Sequence, residues 1–442
     1  MLRVALMVFA CFFGAVTCVL AAQSGAESKK TLTAAKKSAP QKPAHKARVI
    51  ELTHQLSAHG ALKLAELVER FNSEQPEDER IQLLRIETQG RKPALLNLAT
   101  QGVAANLLAN KSAFKPVHQV LKENGGNVSG KDLSADLLAG EKRDRMNALP
   151  LAFSTPVLFY NKRLFRQAGL DADAPPKTWQ EMQAMAGALW ENGIACPYTS
   201  SWPAWVHVDN LSALSGMPIA DKKGKLAFNG RIQVKHIAML ATWHKARYFQ
   251  NFGRASEADA HFYSGECAML TSDAWVHSQL QDAPGVELGI APLPHHDDLY
   301  GGPQHTLAAG VSLWIGAGYR AKEYQVAARF IRFLLAPDMQ IALARGGGFL
   351  PLTETARDAM RASRLMKDEE QALNVAYASL QGKGGLHPLR VSTLDPVRII
   401  MDEELEQVWA GKKPAKAALD TAVKRGNAVL AAKPALRRVI RP

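Results

Sequence analysis

Near the start of the chain, strand, helix and strand follow one another within about 40 residues, and that order leaves few folds open. Residues 48–53 read as a first strand. Residues 60–72 follow with Leu64, Leu67, Val68 and Phe71 at the i, i+3, i+4, i+7 spacing of one helix face. Residues 81–87 form a second strand. Two strands joined by a helical crossover pair in parallel. The expected class is therefore α/β, built on parallel strands.

A chain of 442 residues holds roughly two or three cores at ~150 residues each. At 47% hydrophobic and 21% charged, its composition is that of an ordinary globular protein. Further helical patterns fall at 93–108, 115–123, 179–192 and 232–246. In the last of these, Ile232, His236, Met239, Leu240 and Trp243 share a face. Residues 287–293 and 306–315 read as strands with a polar loop, 295–303, between them. Residues 321–335 read as a helix ended by Pro337, and 345–351, with three consecutive glycines, as a loop. The end of the chain from Asp395 is helical, with 403–411 stopping at Gly411.

Arg3 precedes an apolar run that ends in small residues near Ala21-Ala22, the pattern of a cleaved secretory signal peptide over 1–22. Residues 23–48 carry seven Lys/Arg against one Glu and are read as a disordered basic linker, a solvated spacer. It accounts for about half the positive excess of the mature chain, whose full-length net charge is +13. Export leaves two cysteines, Cys196 and Cys267, in an oxidising compartment. Spacing does not decide whether they pair or remain buried thiols.

Trp202 and Trp205 stand three apart on a polar loop before a helix, where they suit either the apolar wall of a small-ligand site or the core. Gly310 marks a strand position open to close approach. The glycines at 346–348 could offer N–H groups to an anion, although a turn is the simpler reading. Arg390 and Arg398 could each fork a phosphate or carboxylate, or simply ion-pair. His295 to Asp298 are ligand-type residues, but adjacent residues seldom converge on one metal ion. The chain lacks GxSxG, HExxH and zinc-cysteine motifs. No catalysis, metal, cofactor or nucleic-acid partner is expected.

The residue strings 154–162, 168–179, 234–240, 262–269 and 402–413, in this order, resemble the periplasmic glycerol-3-phosphate-binding proteins of ABC-type uptake systems. These are type II periplasmic solute-binding proteins, and the likeness runs over most of the chain from Val49. The resemblance implies two α/β lobes joined by crossing segments, with the ligand between them and closure about a hinge. Residues 49–153 plus about 306–349 would form one lobe, and 154–305 plus about 350–442 the other. Ser154 matches a serine that touches ligand, Trp202 and Trp205 the indole wall, Gly310 a glycine whose N–H faces phosphate, and Arg398 the arginine that pairs with it.

Other family positions differ here. Residues 88–94 lack a tyrosine, 106–114 lack a glutamate, a tyrosine becomes Phe349, and a serine aligns with Asp273 beside Ser272. Each missing buried hydrogen-bond partner would cost about 1–3 kcal/mol. The resemblance implies a monomeric periplasmic receptor that binds glycerol-3-phosphate or a glycerophosphodiester and delivers it to membrane permease subunits. The alternatives are the same fold with a neutral polyol or sugar, and a non-transport envelope protein with a degenerate pocket.

Overall fold

A computed structural model describes residues 49–54, 56, 58–86, 93–100, 113–126, 146–221, 223–298, 303–347, 349–362, 367–381 and 394–431. The expected signal peptide and linker, the missing-tyrosine segment 88–92, most of 106–114, Gly348 and Arg390 lie outside the described residues. Residues 47–442 belong to one compact unit.

Five strands come first: β1 (Ile50–His54), β2 (Ile81–Arg85), β3 (Leu96–Thr100), β4 (Phe114–Lys115) and β5 (Leu149–Ser154). Five more, β6 (Pro156–Asn161), β7 (Cys196–Ser200), β8 (Phe249–Gln250), β9 (Cys267–Asp273) and β10 (Leu288–Ala291), build a second sheet, and β11 (Ala309–Gly316) returns to the first. The first sheet runs β2-β1-β3-β11-β4, with β5 also on β11; the second runs β10-β6-β9-β7-β8. The architecture is two α/β lobes, one around each sheet.

The opening unit folds as its pattern requires. β1 and β2 pair in parallel from Ile50–Ile81 to His54–Arg85. The Ala58–Ser73 helix between them buries Leu64, Leu67, Val68 and Phe71. Phe71 meets Phe330 and Phe333 edge-on, on the Ala321–Leu335 helix across the same core. In the second lobe, Thr178 caps the Trp179–Glu191 helix in a reciprocal box with Glu181, satisfying two backbone donors at once. The Arg231–Lys245 helix buries Gln233, His236, Ile237, Leu240 and Trp243, with Ile232 and Met239 on its shoulders.

Two expectations are corrected. The helical pattern at 93–108 holds β3, which lies between β1 and β11. Leu95 to Ala99 are all buried, Asn97 included, so the strand shows no alternation of apolar with exposed polar residues. The glycine loop at 345–351 begins later than expected, because the Pro337–Gly347 helix continues through two of the glycines.

The open question about the cysteines is answered by a Cys196–Cys267 disulfide joining residues directly opposite on β7 and β9. Among the described residues no helix is long and apolar enough to cross a membrane.

The chain crosses between sheets at Thr155, between β5 and β6, and again before β11. These crossings are bonded together. The Thr155 hydroxyl lies 2.6 Å from that of Thr306, and Leu350 N–H bonds Phe153 C=O at 2.9 Å. A separate apolar cluster that includes Phe153, Val157, Leu350 and Leu352 packs around them.

Candidate ligand-binding site at the carboxyl ends of the second sheet

In α/β sheets, ligands settle outside the carboxyl ends of parallel strands. Here β7 and β9 run parallel and end at Ser200 and Asp273. Ser154, the last residue of β5 in the other sheet, arrives at the same place, because Pro156 pairs with Asp273.

Polar side chains fill this end. Asp259, on the Glu257–Tyr263 helix, accepts from Ser201 Oγ at 2.6 Å and from Ser272 Oγ at 2.8 Å. Ser154 Oγ accepts Trp275 N–H at 3.1 Å, and its hydroxyl also supports the Asp273 carboxyl. Burial pushes the Asp273 carboxyl up to about 7, against the pull of those donors and with a further push from Asp259. Burial also raises Asp259, offset by its two serines.

The indoles stand immediately beyond. Trp202 has φ +54°, a backbone angle rare for a bulky residue and often found at ligand sites. Trp205 opens a single π-helical turn, Trp205–Asn210, another irregularity that recurs at functional positions. Trp205 is 6% exposed, and its Nε1 has no partner among the described residues. Both indoles pack with Val206, Leu214, Leu293 and Ala309. Ala309 pairs with Ser154, and Gly310 follows it opposite Phe153. Ser154, Trp202, Trp205, Ser272, Asp273 and Gly310 are thus brought to one region.

Two expected residues are placed differently from a simple pocket. Phe349 is 4% exposed, a core side chain edge-on to Trp275. Arg398 reaches the region, but its Nε and Nη2 both lie 2.8 Å from Asp209 Oδ2. Asp209 is 1% exposed, and burial raises its carboxyl in spite of the arginine. One helical turn on from Arg398, Asp402 accepts Ala204 N–H at 3.1 Å and is pushed by burial up to about 7. The Leu394–Trp409 helix therefore grips both ends of the indole segment with one face.

Asn210 links that segment to the crossing strand. Its amide donates to Trp205 C=O at 3.0 Å, and its oxygen accepts Leu307 N–H at 2.8 Å. Sequence reasoning missed Asp209, Asp259, Asp402 and Asn210, since nothing local distinguishes each from a surface polar residue.

The expected polar loop at His295–Asp298 also differs. Asp298 pairs with Lys235 at the surface, but His296 is 4% exposed and turns inward. It begins a buried chain: His296 Nε2 to His236 Nδ1 at 3.2 Å, His236 Nε2 to His207 Nδ1 at 3.1 Å, and His207 Nε2 to Tyr198 Oη at 3.2 Å. Tyr198 continues to Thr271 at 2.7 Å, and Thr271 to Ser200 at 2.9 Å, beneath the site. Burial holds His207 down to about 3 and His236 well below the ordinary value, so both are neutral. Among the described residues no group of three His, Cys, Asp or Glu side chains converges to hold a metal ion.

The model of a family described as bacterial extracellular solute-binding protein matches residues 70–372. An Escherichia coli K12 sn-glycerol-3-phosphate-binding periplasmic protein is 33% identical over 406 residues, 86% of this chain and 92% of that protein. Its Pectobacterium atrosepticum counterpart is 35% identical over 355 residues, 77% of this chain and 79% of that one. Among solved structures, Mycobacterium tuberculosis UgpB with glycerophosphocholine superposes at TM-score 0.71 and 20% identity, covering 87% of this chain and 98% of that one. A Listeria monocytogenes substrate-binding protein with cycloalternan gives 0.71 and 17%, over 87% and 100%.

Proposed function

This chain belongs to the bacterial extracellular solute-binding proteins, and we propose that it is the periplasmic receptor of an ABC uptake system for glycerol-3-phosphate or a glycerophosphodiester. The observation that carries the reading is the 33% identity to a glycerol-3-phosphate-binding periplasmic protein across 86% of the chain. The signal peptide would be removed on export, and lobe boundaries would fall near 153/154, 305/306 and 349/350.

In this mechanism the lobes close on the ligand about the bonded crossing strands. Trp202 and Trp205 cover its carbon skeleton, as aromatic faces do for polyols. Ser154, Ser272 and the Gly310 backbone supply polar contacts. Arg398, held in place by Asp209, brings positive charge to the anionic end. The closed form then docks on permease subunits.

A second reading has one observation behind it. Asp209, Asp259, Asp273 and Asp402 gather around Arg398 and the indole segment, a charge balance that also suits an uncharged polyol or sugar. Tryptophan fluorescence of the mature protein, titrated with glycerol-3-phosphate, glycerophosphocholine, maltose and inorganic phosphate, separates the readings. A saturable change with a glycerol phosphate supports the first. Response to maltose alone supports the second. Silence with all four, in folded protein, removes both.

A further inference from the structure

Resting on the reading above, we propose that Asp273 accepts a hydrogen bond from a ligand hydroxyl, so that the glycerol end of the ligand, not its phosphate, seats against the end of β9. The argument begins with the donors. At the carboxyl ends of β7 and β9, where β5 also arrives, the hydroxyl protons are already committed. Ser201 and Ser272 both give theirs to Asp259 Oδ1, at 2.6 and 2.8 Å. Ser154 takes Trp275 N–H on its oxygen at 3.1 Å and turns its own proton to the Asp273 carboxyl. Thr271 donates to Ser200 at 2.9 Å, and Ser200 to Ser201 C=O at 3.2 Å.

The backbone is committed in the same way. Ser201 N–H bonds Thr271 C=O at 2.9 Å, Trp202 N–H bonds Ala255 C=O at 2.8 Å, and Ala274 N–H bonds Thr155 C=O at 2.9 Å. The serines are buried, whereas Asp273 and, beside it, Asp259 are partly exposed. The polar groups that these strand ends present outward are therefore acceptors. The Ser154 hydroxyl and, at 3.5 Å, Trp275 N–H both fall on the Asp273 carboxyl, and donors aimed at a carboxyl favour its ionised form. A carboxylate has about four acceptor positions, so its exposed side keeps room for a ligand donor.

A phosphate monoester at pH 8 has no proton to give. Placed here it would also face two carboxylates, since Asp259 is the charge that acts on Asp273. A glycerol hydroxyl does donate, and a hydrogen bond to an ionised acceptor is among the stronger kinds. The cation lies elsewhere: Arg398 belongs to the Leu394–Trp409 helix and meets the indole segment at Asp209. The ligand is thereby oriented, with its hydroxyls toward β9, its carbon skeleton against Trp202 and Trp205, and its phosphate toward Arg398. A phosphate ester without hydroxyls loses the first of these contacts and keeps the others.

The test compares glycerol-3-phosphate with n-propyl phosphate, which has the same phosphate and carbon chain but no hydroxyl, by calorimetry at pH 8. Glycerophosphocholine against n-propyl phosphocholine gives the same comparison should the diester be the ligand. The proteins are the mature wild type, Asp273→Asn and Asp273→Ser. Asn keeps an oxygen for Trp275 N–H and turns amide protons outward; Ser is the second neutral variant should the Asn form fail to fold, and thermal melting reports folding. Wild type should prefer the hydroxylated ligand by about 10- to 100-fold. In the variant the preference should fall below about threefold. The ratio is the readout, because a merely structural loss weakens both ligands alike. A wild-type ratio near one overturns the inference while leaving the receptor reading intact. So does a ratio that survives in the variant. So does a variant that binds n-propyl phosphate more than about tenfold tighter than wild type, which would seat the phosphate at β9. No binding of glycerophosphocholine or glycerol-3-phosphate by wild type removes the receptor reading, and the inference with it.

Discussion

Reducing the Cys196–Cys267 bridge should destabilise the second lobe strongly while leaving its ligand affinity unchanged. The bridge spans a sequence separation of 71 residues. Chain-entropy reasoning assigns a closed loop of that length roughly 4 kcal/mol at 25 °C, through restriction of the unfolded chain. At about 2–4 °C per kcal/mol for a lobe of 150–250 residues, the melting temperature should fall by ~8–16 °C. Little native rearrangement should accompany reduction, because the two residues already face one another across a paired β7–β9 ladder. They lie at the opposite ends of those strands from the site, roughly 13–20 Å from Ser200 and Asp273 at 3.3 Å per residue. Calorimetric melts of oxidised protein, of protein refolded under reductant, and of a Cys196→Ala/Cys267→Ala double variant provide the comparison. Both cysteines are fully buried, so native protein should also resist reduction until it opens. Melting temperatures within about 2 °C of one another would refute the entropic argument.

Arg398→Ala should abolish most affinity for a phosphate ligand and, by leaving Asp209 buried without its cation, cost about 3–5 kcal/mol of stability. Fluorescence titration and urea denaturation report the two separately, and unchanged affinity would reject Arg398 as a ligand residue. His207 and His236 should stay neutral in the folded protein well below pH 6.5, since burial depresses both. Their unfolded forms bind protons first, so their contribution to stability is full above pH 6.5 and is lost as pH falls toward about 3 for His207; nitrogen-15 NMR titration that finds either charged at pH 5 would contradict this. Trp205→Phe should remove most of the ligand-induced fluorescence change, and a full-sized response would place the reporter elsewhere.

Local periodicity made much of the scaffold legible. The stripe Leu64, Leu67, Val68, Phe71 is an amphipathic face with one possible partner, a neighbouring apolar surface, and that is where it packs. The helical pattern at 179–192 was equally plain. β3 was not, because a strand covered on both faces loses its alternation. The site was legible only as residue types. Trp202 and Trp205 were visible, but whether they faced ligand or core depends on Ala309 and Leu293, more than 80 residues away. Arg398 was visible as a guanidinium, but its pairing with Asp209, 189 residues away, was not. The histidines at 207, 236 and 296 belong to three separate elements, and no sequence spacing joins them.

That histidine chain also has a direction. Ser200 Oγ donates to Ser201 C=O, an acceptor that cannot reverse. Thr271 must then donate to Ser200, Tyr198 to Thr271, and each histidine through Nε2–H to the next group. Five successive hydrogen bonds point the same way, so their dipoles add rather than cancel. The interior of the second lobe is thus polarised from His296 toward the strand ends beneath the site, and reversing one ring would set its N–H against that of the ring that donates to it, so that ring would have to turn as well.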